Sequence, residues 1–224
     1  MAALYLIRHG QASFGSANYD QLSNLGTQQC LWLGEYLKER SIRFERIICG
    51  DMARHRQSAE AICQGLGHRL EFECHPGFNE FDFMTLLKGF GEANPQHAIK
   101  DWRNHREVYS CLRLAMLAWS ENALPAEVPL ESWQAFQQRV ADGLDFARRQ
   151  PKGNTLVATS GGAISIALSQ IMGFGAQTVV NLNLQSKNSG ITHCYFSDSA
   201  TYVTGINATP HLDRPDRWDS VSYS

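Results

Sequence analysis

The chain has 224 residues, enough for one domain with a sizeable core, or one core plus an inserted cap. Apolar residues make up 43% and the formal net charge is -2, which excludes a disordered chain and any bulk attraction to nucleic acid or to an anionic membrane surface. Any anion site must therefore be built locally. The six cysteines (Cys30, Cys49, Cys63, Cys74, Cys111, Cys194) form no C-x-x-C pair. That spacing argues against a zinc site or a disulfide framework and for reduced thiols packed as small core residues. The stretch from Met1 to Arg8 has no basic leader, and its apolar run is too short for a signal peptide or a membrane span. A cytoplasmic location is expected.

Residues 3–7 read as a short buried strand, followed by a polar Gly/Ser-rich loop to about Leu22. Ser23 is placed to cap a helix, in which Cys30, Leu33 and Leu37 recur at helical spacing. Arg46 to Cys49 reads as a second buried strand. Asp51 is the next candidate cap, for a helix with Ala59, Ile62, Cys63 and Leu66 on one face and Gly65 and Gly67 at its end. Leu70 to Cys74 alternates like a strand. Residues 77–91 are rich in Gly and Phe without a clear period and read as loop.

A polar helical stretch with several Trp residues is predicted from about Pro95 to Asn122, broken at Leu124 to Pro129. A strong helix follows, with Trp133, Phe136, Val140, Leu144 and Ala147 in register. Thr155 to Thr159 is another buried strand, and Ser160-Gly161-Gly162 opens a helix that stops near Gly173. Strand-like segments near 179–186, 190–196 and 201–206 close the pattern, and the polar tail beyond Asn207 is expected to be ordered only in part. Early alternation of strands and helices predicts an α/β fold: a three-layer sandwich with a mostly parallel central sheet, helices on both faces and a helical cap insertion. The whole chain, 1–224, reads as one domain, with the cap at about 83–130.

Three strand ends carry chemistry: Arg8-His9-Gly10, the segment Asp51 to Ser58 containing Arg54, and Ser160-Gly161-Gly162. In open α/β sheets ligands bind beyond the carboxyl ends of the strands, where all three segments would lie. Arg8 and Arg54 offer guanidinium forks for phosphate oxygens. Free N–H groups at the helix start near Gly161 add partial positive charge. A neutral imidazole at His9 can attack phosphorus and become a phosphohistidine, while Gly10 lets the backbone turn tightly beside it.

These residues carry a resemblance. Leu6-Ile7-Arg8-His9-Gly10-Gln11-Ala12, Leu22 to Gln29, Arg54 to Ala59, and Phe78-Asn79-Glu80-Phe81-Asp82-Phe83 resemble, in that order, segments of the histidine phosphatase (phosphoglycerate-mutase-like) superfamily. Glu131-Ser132-Trp133 with Phe136, Arg139 and Val140 resembles the family's cap-return helix; Asn188 to Thr192 and Ile206 to Leu212 resemble its closing segments. The resemblance implies His9 as the phosphorylated nucleophile, Arg8 and Arg54 as phosphate-gripping arginines, and Glu80 as the general acid, with Asp82 the alternative. It further implies that Gln11, Ser13 and Asn18 lie in a loop lining the substrate pocket.

One position departs from the family pattern. Ser160 stands where the family carries a second catalytic histidine. A hydroxyl can donate a hydrogen bond to a phosphoryl group but brings no charge, and charge-assisted bonds are roughly twice as strong. Ser160 could equally serve as its helix's N-cap. His55 follows Arg54 on a helix and is expected to point elsewhere; neither His193 nor His211 is an evident substitute. The expected function is a metal-independent phosphomonoesterase without cofactor, acting through phosphohistidine on a small phosphorylated metabolite. Its alternatives are a protein of the same fold that binds phosphate or a phosphate ligand with little turnover, and a phosphoglycerate-type mutase. No nucleic-acid or membrane partner is expected, and no oligomeric state is indicated.

Overall fold

The computed structural model describes residues 2–13, 20–68, 71–149, 153–197 and 200–223. Six strands form one sheet in the order β3-β2-β4-β1-β5-β6: β1 (Ala2–Arg8), β2 (Arg46–Cys49), β3 (Phe72–Cys74), β4 (Thr155–Thr159), β5 (Ile191–Phe196) and β6 (Thr201–Ala208). The β1–β4, β2–β4 and β2–β3 pairs are parallel, whereas β5 joins β1 and β6 antiparallel.

Alternation along the central strands covers the sheet on both sides. Leu4 and Leu6 of β1, Ile48 of β2 and Val157 of β4 enter one apolar cluster. Ile7, Ile47, Cys49, Leu156 and Ala158 enter the other. Side chains in a strand point to opposite faces in turn, so near-continuous apolar runs are what a sheet buried on both faces requires. The second cluster is completed by α1 (Asn24–Glu39) and α2 (Ala53–Leu66). The first is completed by α3 (Phe83–Ala93), α4 (His105–Ser120), α5 (Trp133–Arg148), α6 (Gly161–Met172) and α7 (Ala176–Leu184). Phe136 of α5 is fully buried against the rings of Phe81 and Trp119, which also touch each other.

The expected α/β sandwich is the architecture found, with four local corrections. Residues 77–91 are not loop: Pro76–Phe78 form a 3-10 turn, and α3 begins after Asp82, whose carboxylate accepts the Thr85 N–H. Leu86, Leu87 and Phe90 of α3 are buried, a helical face that the glycines disguise. Residues 179–186 are not strand, because α7 buries Val179 and Val180 and packs Leu182 and Leu184 against the same cluster, at helical spacing. The capping position of α2 is Met52 rather than Asp51; the Asp20 carboxylate accepts the Ala53 N–H instead. The tail is packed: His211 and Leu212 are buried, and Ser222 exchanges hydrogen bonds with Asn188. Five cysteines are buried as free thiols; Cys74 is exposed, 3.6 Å from the Cys49 sulfur across the β2–β3 pair. No helix among the described residues is long and apolar enough to cross a membrane.

Candidate active site

Three adjacent strands, β2, β4 and β1, end side by side. Cys49 pairs with Ala158 and Arg8 with Thr159, so Gly50, Ser160 and His9 follow in a row beyond the carboxyl edge of the sheet. Backbone bonds lock the row: the His9 N–H donates to Thr159 at 2.8 Å, and the Gly50 N–H donates to Ala158 at 3.2 Å. Gly10 then passes directly over the start of α1. A Cβ on Gly10 would collide with the carbonyl oxygen of Gly26, so only glycine admits this approach. The closing segment holds the same turn, with the Ser189 N–H and the Asn188 amide both donating to the His9 carbonyl.

The His9 ring is 3% exposed, and its hydrogen bonds fix its tautomer. Nδ1 lies 2.7 Å from the Gly10 carbonyl oxygen, which can only accept, so Nδ1 carries the proton. Nε2 is left with its lone pair and accepts from Arg54 Nε at 3.3 Å. Burial first, then the guanidinium groups of Arg54 and Arg8, hold the His9 pKa well below the ordinary histidine value. The ring thus presents an unprotonated Nε2, its lone pair turned toward Arg54.

Arg54, at the start of α2, is 4% exposed and is oriented by the Asp20 carboxylate at 2.8 Å. Arg8 donates to the backbone carbonyls of Ser186 and Tyr223. Glu80 is half-buried; its carboxylate accepts the Gly162 N–H at 3.1 Å and the Phe81 N–H at 3.2 Å. Burial raises the Glu80 pKa above the ordinary carboxylate value, against these hydrogen bonds and the Arg54 and Arg8 charges. The N-terminus of α6 is thus already engaged by a carboxylate at Gly162.

The segment carrying Glu80 is held from α5. Arg139 forms a two-pronged ion pair with Glu131 at 2.7 and 2.8 Å, and it donates to the carbonyls of Asn79 at 2.7 Å and Glu80 at 3.3 Å. Thr159 Oγ1 adds a 2.6 Å bond to the Phe78 carbonyl. A stretch that reads as featureless loop is therefore fixed through its backbone.

Arg8, His9, Arg54 and Glu80 line one pocket. Its remaining wall is largely apolar or aromatic, formed by Phe81, Phe83, Trp102, Val108, Tyr109, Leu112, Leu184 and Tyr223 together with His105 and Asn183. The other described sequence candidates are not part of that lining. Asp82 is exposed outside the pocket lining, where burial acting on its carboxyl is outweighed by the Thr85 hydroxyl and N–H, and its pKa falls. Gln11 accepts from Ser23 Oγ, and the Ser13 N–H bonds the Gln21 carbonyl. Asn18 lies outside the described residues. Gly161 is buried, close to Asn183 and Ser186. Ser160 sits at the capping position of α6, yet its hydroxyl makes no capping bond. It pairs instead with His55 Nε2 at 2.6 Å, and His55, contrary to the sequence expectation, turns inward and is fully buried.

Asp20, His55, Arg139 and Tyr223 are the site residues that sequence reasoning missed. Each acts across a long sequence separation, from 33 residues for Asp20 to 215 for Tyr223, and no local pattern marks such contacts.

The profile of the histidine phosphatase superfamily (branch 1) matches residues 4–209, and the chain belongs to that family. The "Putative phosphoserine phosphatase 2" of Hydrogenobacter thermophilus is 24% identical over 219 residues, covering 94% of this chain and 98% of that one. A "Probable phosphoglycerate mutase" of Salmonella choleraesuis is 26% identical over 227 residues, covering 96% and 97%. Among solved structures, a mutant phosphoserine phosphatase from Entamoeba histolytica in complex with phosphoserine superposes with a TM-score of 0.65 at 19% identity, covering 95% of this chain and 100% of that one. That last likeness is one of fold. Relatives named as phosphatases and as mutases thus both occur around this chain.

Proposed function

We propose that the chain is a phosphomonoesterase that works through a phosphohistidine at His9. The observation that carries this reading is the fixed tautomer of His9: a neutral ring with its Nε2 lone pair beside Arg54, in the pocket that Arg8 and Glu80 also line. In the first step Nε2 attacks phosphorus, the bond to the ester oxygen breaks, and neutral Glu80 gives its proton to the leaving oxygen. In the second step the Glu80 carboxylate takes a proton from water as that water attacks phosphorus. The P–N bond breaks and inorganic phosphate leaves. Arg8 and Arg54 balance the charge on the phosphoryl oxygens throughout.

The pocket wall supports a substrate whose esterified group is apolar or aromatic. Beyond the phosphate, Phe83, Trp102, Val108, Leu112 and Leu184 offer apolar surface. A phosphoglycerate carrying a carboxylate and a second phosphate would need further cations, and His105 is the single basic residue added to Arg8 and Arg54 in the described lining. We therefore place hydrolysis ahead of mutase chemistry. In this reading α3 and α4, within 83–130, act as the lid that selects the substrate.

The test is hydrolysis of p-nitrophenyl phosphate in the presence of chelator, with protein quenched in alkaline detergent, where the P–N bond survives, and mapped for phosphohistidine. Turnover with the label on His9, and loss of both in His9→Ala, is the expected result. Phosphate binding with no labelled histidine would establish the ligand-binding alternative instead.

A further inference from the structure

His55 is a buried, titratable side chain that the proposed mechanism leaves unused. It occupies the third position of α2, next to Arg54, and its ring centroid lies 5.7 Å from that of His9. Its place is prepared by the strand ends. Gly50 has no side chain where the His55 ring lies, and a Cβ there would strike Nδ1. From above Gly50 the ring reaches Ser160, the middle member of the Gly50–Ser160–His9 row.

The tautomer of His55 follows from its two nitrogens. Nδ1 is buried and has no hydrogen-bond partner among the described residues, whereas Nε2 lies 2.6 Å from Ser160 Oγ. If Nδ1 carried the proton, a buried N–H donor would be orphaned, which is costlier than an idle lone pair. The proton therefore sits on Nε2 and is donated to Ser160 Oγ. With its oxygen accepting from His55, Ser160 keeps its own O–H to donate elsewhere. Among the described residues that hydroxyl has no acceptor, and the neighbouring strand end is His9.

We propose that His55 is a positioning residue: its Nε2–H holds the Ser160 oxygen so that the Ser160 hydroxyl donates to a phosphoryl group at His9 Nε2. The pair supplies one fixed hydrogen bond, and no proton changes hands. Burial, then the charge of Arg54, holds the His55 pKa well below its ordinary value, which keeps the ring neutral and the assignment of its single N–H meaningful. This inference rests on the phosphatase reading for its kinetic arm, but its binding arm does not need turnover.

The experiment compares wild type with Ser160→Ala, His55→Phe, the double variant and His55→Gln. Kinetics use p-nitrophenyl phosphate, calorimetry measures the affinity for inorganic phosphate, and thermal unfolding confirms the fold. Each single variant should lose about 10- to 100-fold in kcat, with phosphate affinity about 3- to 10-fold weaker, as expected for one lost donor in a preorganised site. The double variant should be no worse than either single, because the two residues act as one unit. His55→Gln keeps an N–H near the Nε2 position and should return kcat to within about threefold of wild type. Full activity in His55→Phe, multiplied losses in the double variant, or no rescue by Gln would each overturn the proposal. Should His55→Phe unfold, His55→Asn, whose amide is too short to reach Ser160, takes its place. An inactive wild type would sink the phosphatase reading, and the phosphate affinities of the same variants would then decide this one.

Discussion

Arg139 of α5 fixes Glu80 through the backbone rather than through its carboxylate. The guanidinium donates to the Glu80 carbonyl at 3.3 Å and the Asn79 carbonyl at 2.7 Å while Glu131 holds it from behind at 2.7 and 2.8 Å. The carboxylate is thereby free to face the pocket. Lysine is a point donor and cannot reproduce this fork. Arg139→Lys should lower kcat for p-nitrophenyl phosphate by about tenfold or more, as a misplaced acid would. It should also reduce unfolding stability by about 1–3 kcal/mol, because carbonyls at the edge of the core lose their donors. Steady-state kinetics beside urea denaturation would check both, and unchanged kcat would show that the Gly162 and Phe81 N–H groups suffice to hold Glu80.

In the proposed mechanism the two reacting side chains titrate toward each other. Glu80 is raised above the ordinary carboxylate value, so it keeps its proton to higher pH; His9 is lowered well below 6.5, so it stays unprotonated to lower pH. The first step needs Glu80 protonated and His9 neutral. Activity should therefore fall on the acid side only where His9 gains a proton, and on the alkaline side as Glu80 loses its own. An optimum on the acid side of neutrality is expected in a kcat/KM profile. Glu80→Gln should remove the alkaline limb assigned to that carboxyl, with greater loss on alkyl than on p-nitrophenyl phosphate, whose leaving group needs less protonation.

His211 couples stability to pH without touching the pocket. It is buried against Ser189 Oγ at 2.7 Å, and burial first, then Arg217, pushes its pKa down to about 3. The unfolded chain binds a proton here near the ordinary value of 6.5, whereas the folded chain does not until about 3. Between those values the unfolded state holds more protons, so stability falls as pH drops, by up to about 1.4 kcal/mol per pH unit for one such group. His211→Gln should flatten the decline between pH 6 and pH 4 in denaturant titrations. A wild-type slope unchanged by the substitution would locate the effect in His9 and His55, whose pKa values are also lowered.

The legible parts of this molecule were those set by local pattern. The run Leu4 to Ile7 gave β1, and with it the position of Arg8 and His9 at a strand end. Trp133, Phe136, Val140 and Leu144 gave α5. Where two periods coexist, the pattern misled. Val179 to Leu184 alternates well enough for a strand, and the helix won because Val179 and Val180 both meet apolar partners. In α3 the glycines blur the period, but a Cβ on Gly89 would strike the Val128 side chain, so that glycine serves packing. His55 shows a third kind of miss. Consecutive helical side chains diverge by about 100°, which argues that a neighbour of Arg54 faces away. That holds along the flank of a helix; α2 meets the site with its first turn, where both Arg54 and His55 border the strand ends.

The bond from Arg8 to the Tyr223 carbonyl spans 215 positions of sequence. One wall of the pocket thus comes from residues around Arg8 and another from residues made more than two hundred positions later. A nascent chain can build α1 and α2 early, but β1 and β2 meet only through β4, and Arg8 gains its Ser186 anchor and then its Tyr223 anchor later still. Contacts of such long range close late in folding. Proteolytic trimming a few residues from the tail would leave the sheet, the helices and the Ser186 bond in place while removing one of the two carbonyls that seat Arg8, so a preparation can look folded by circular dichroism and still have lost activity.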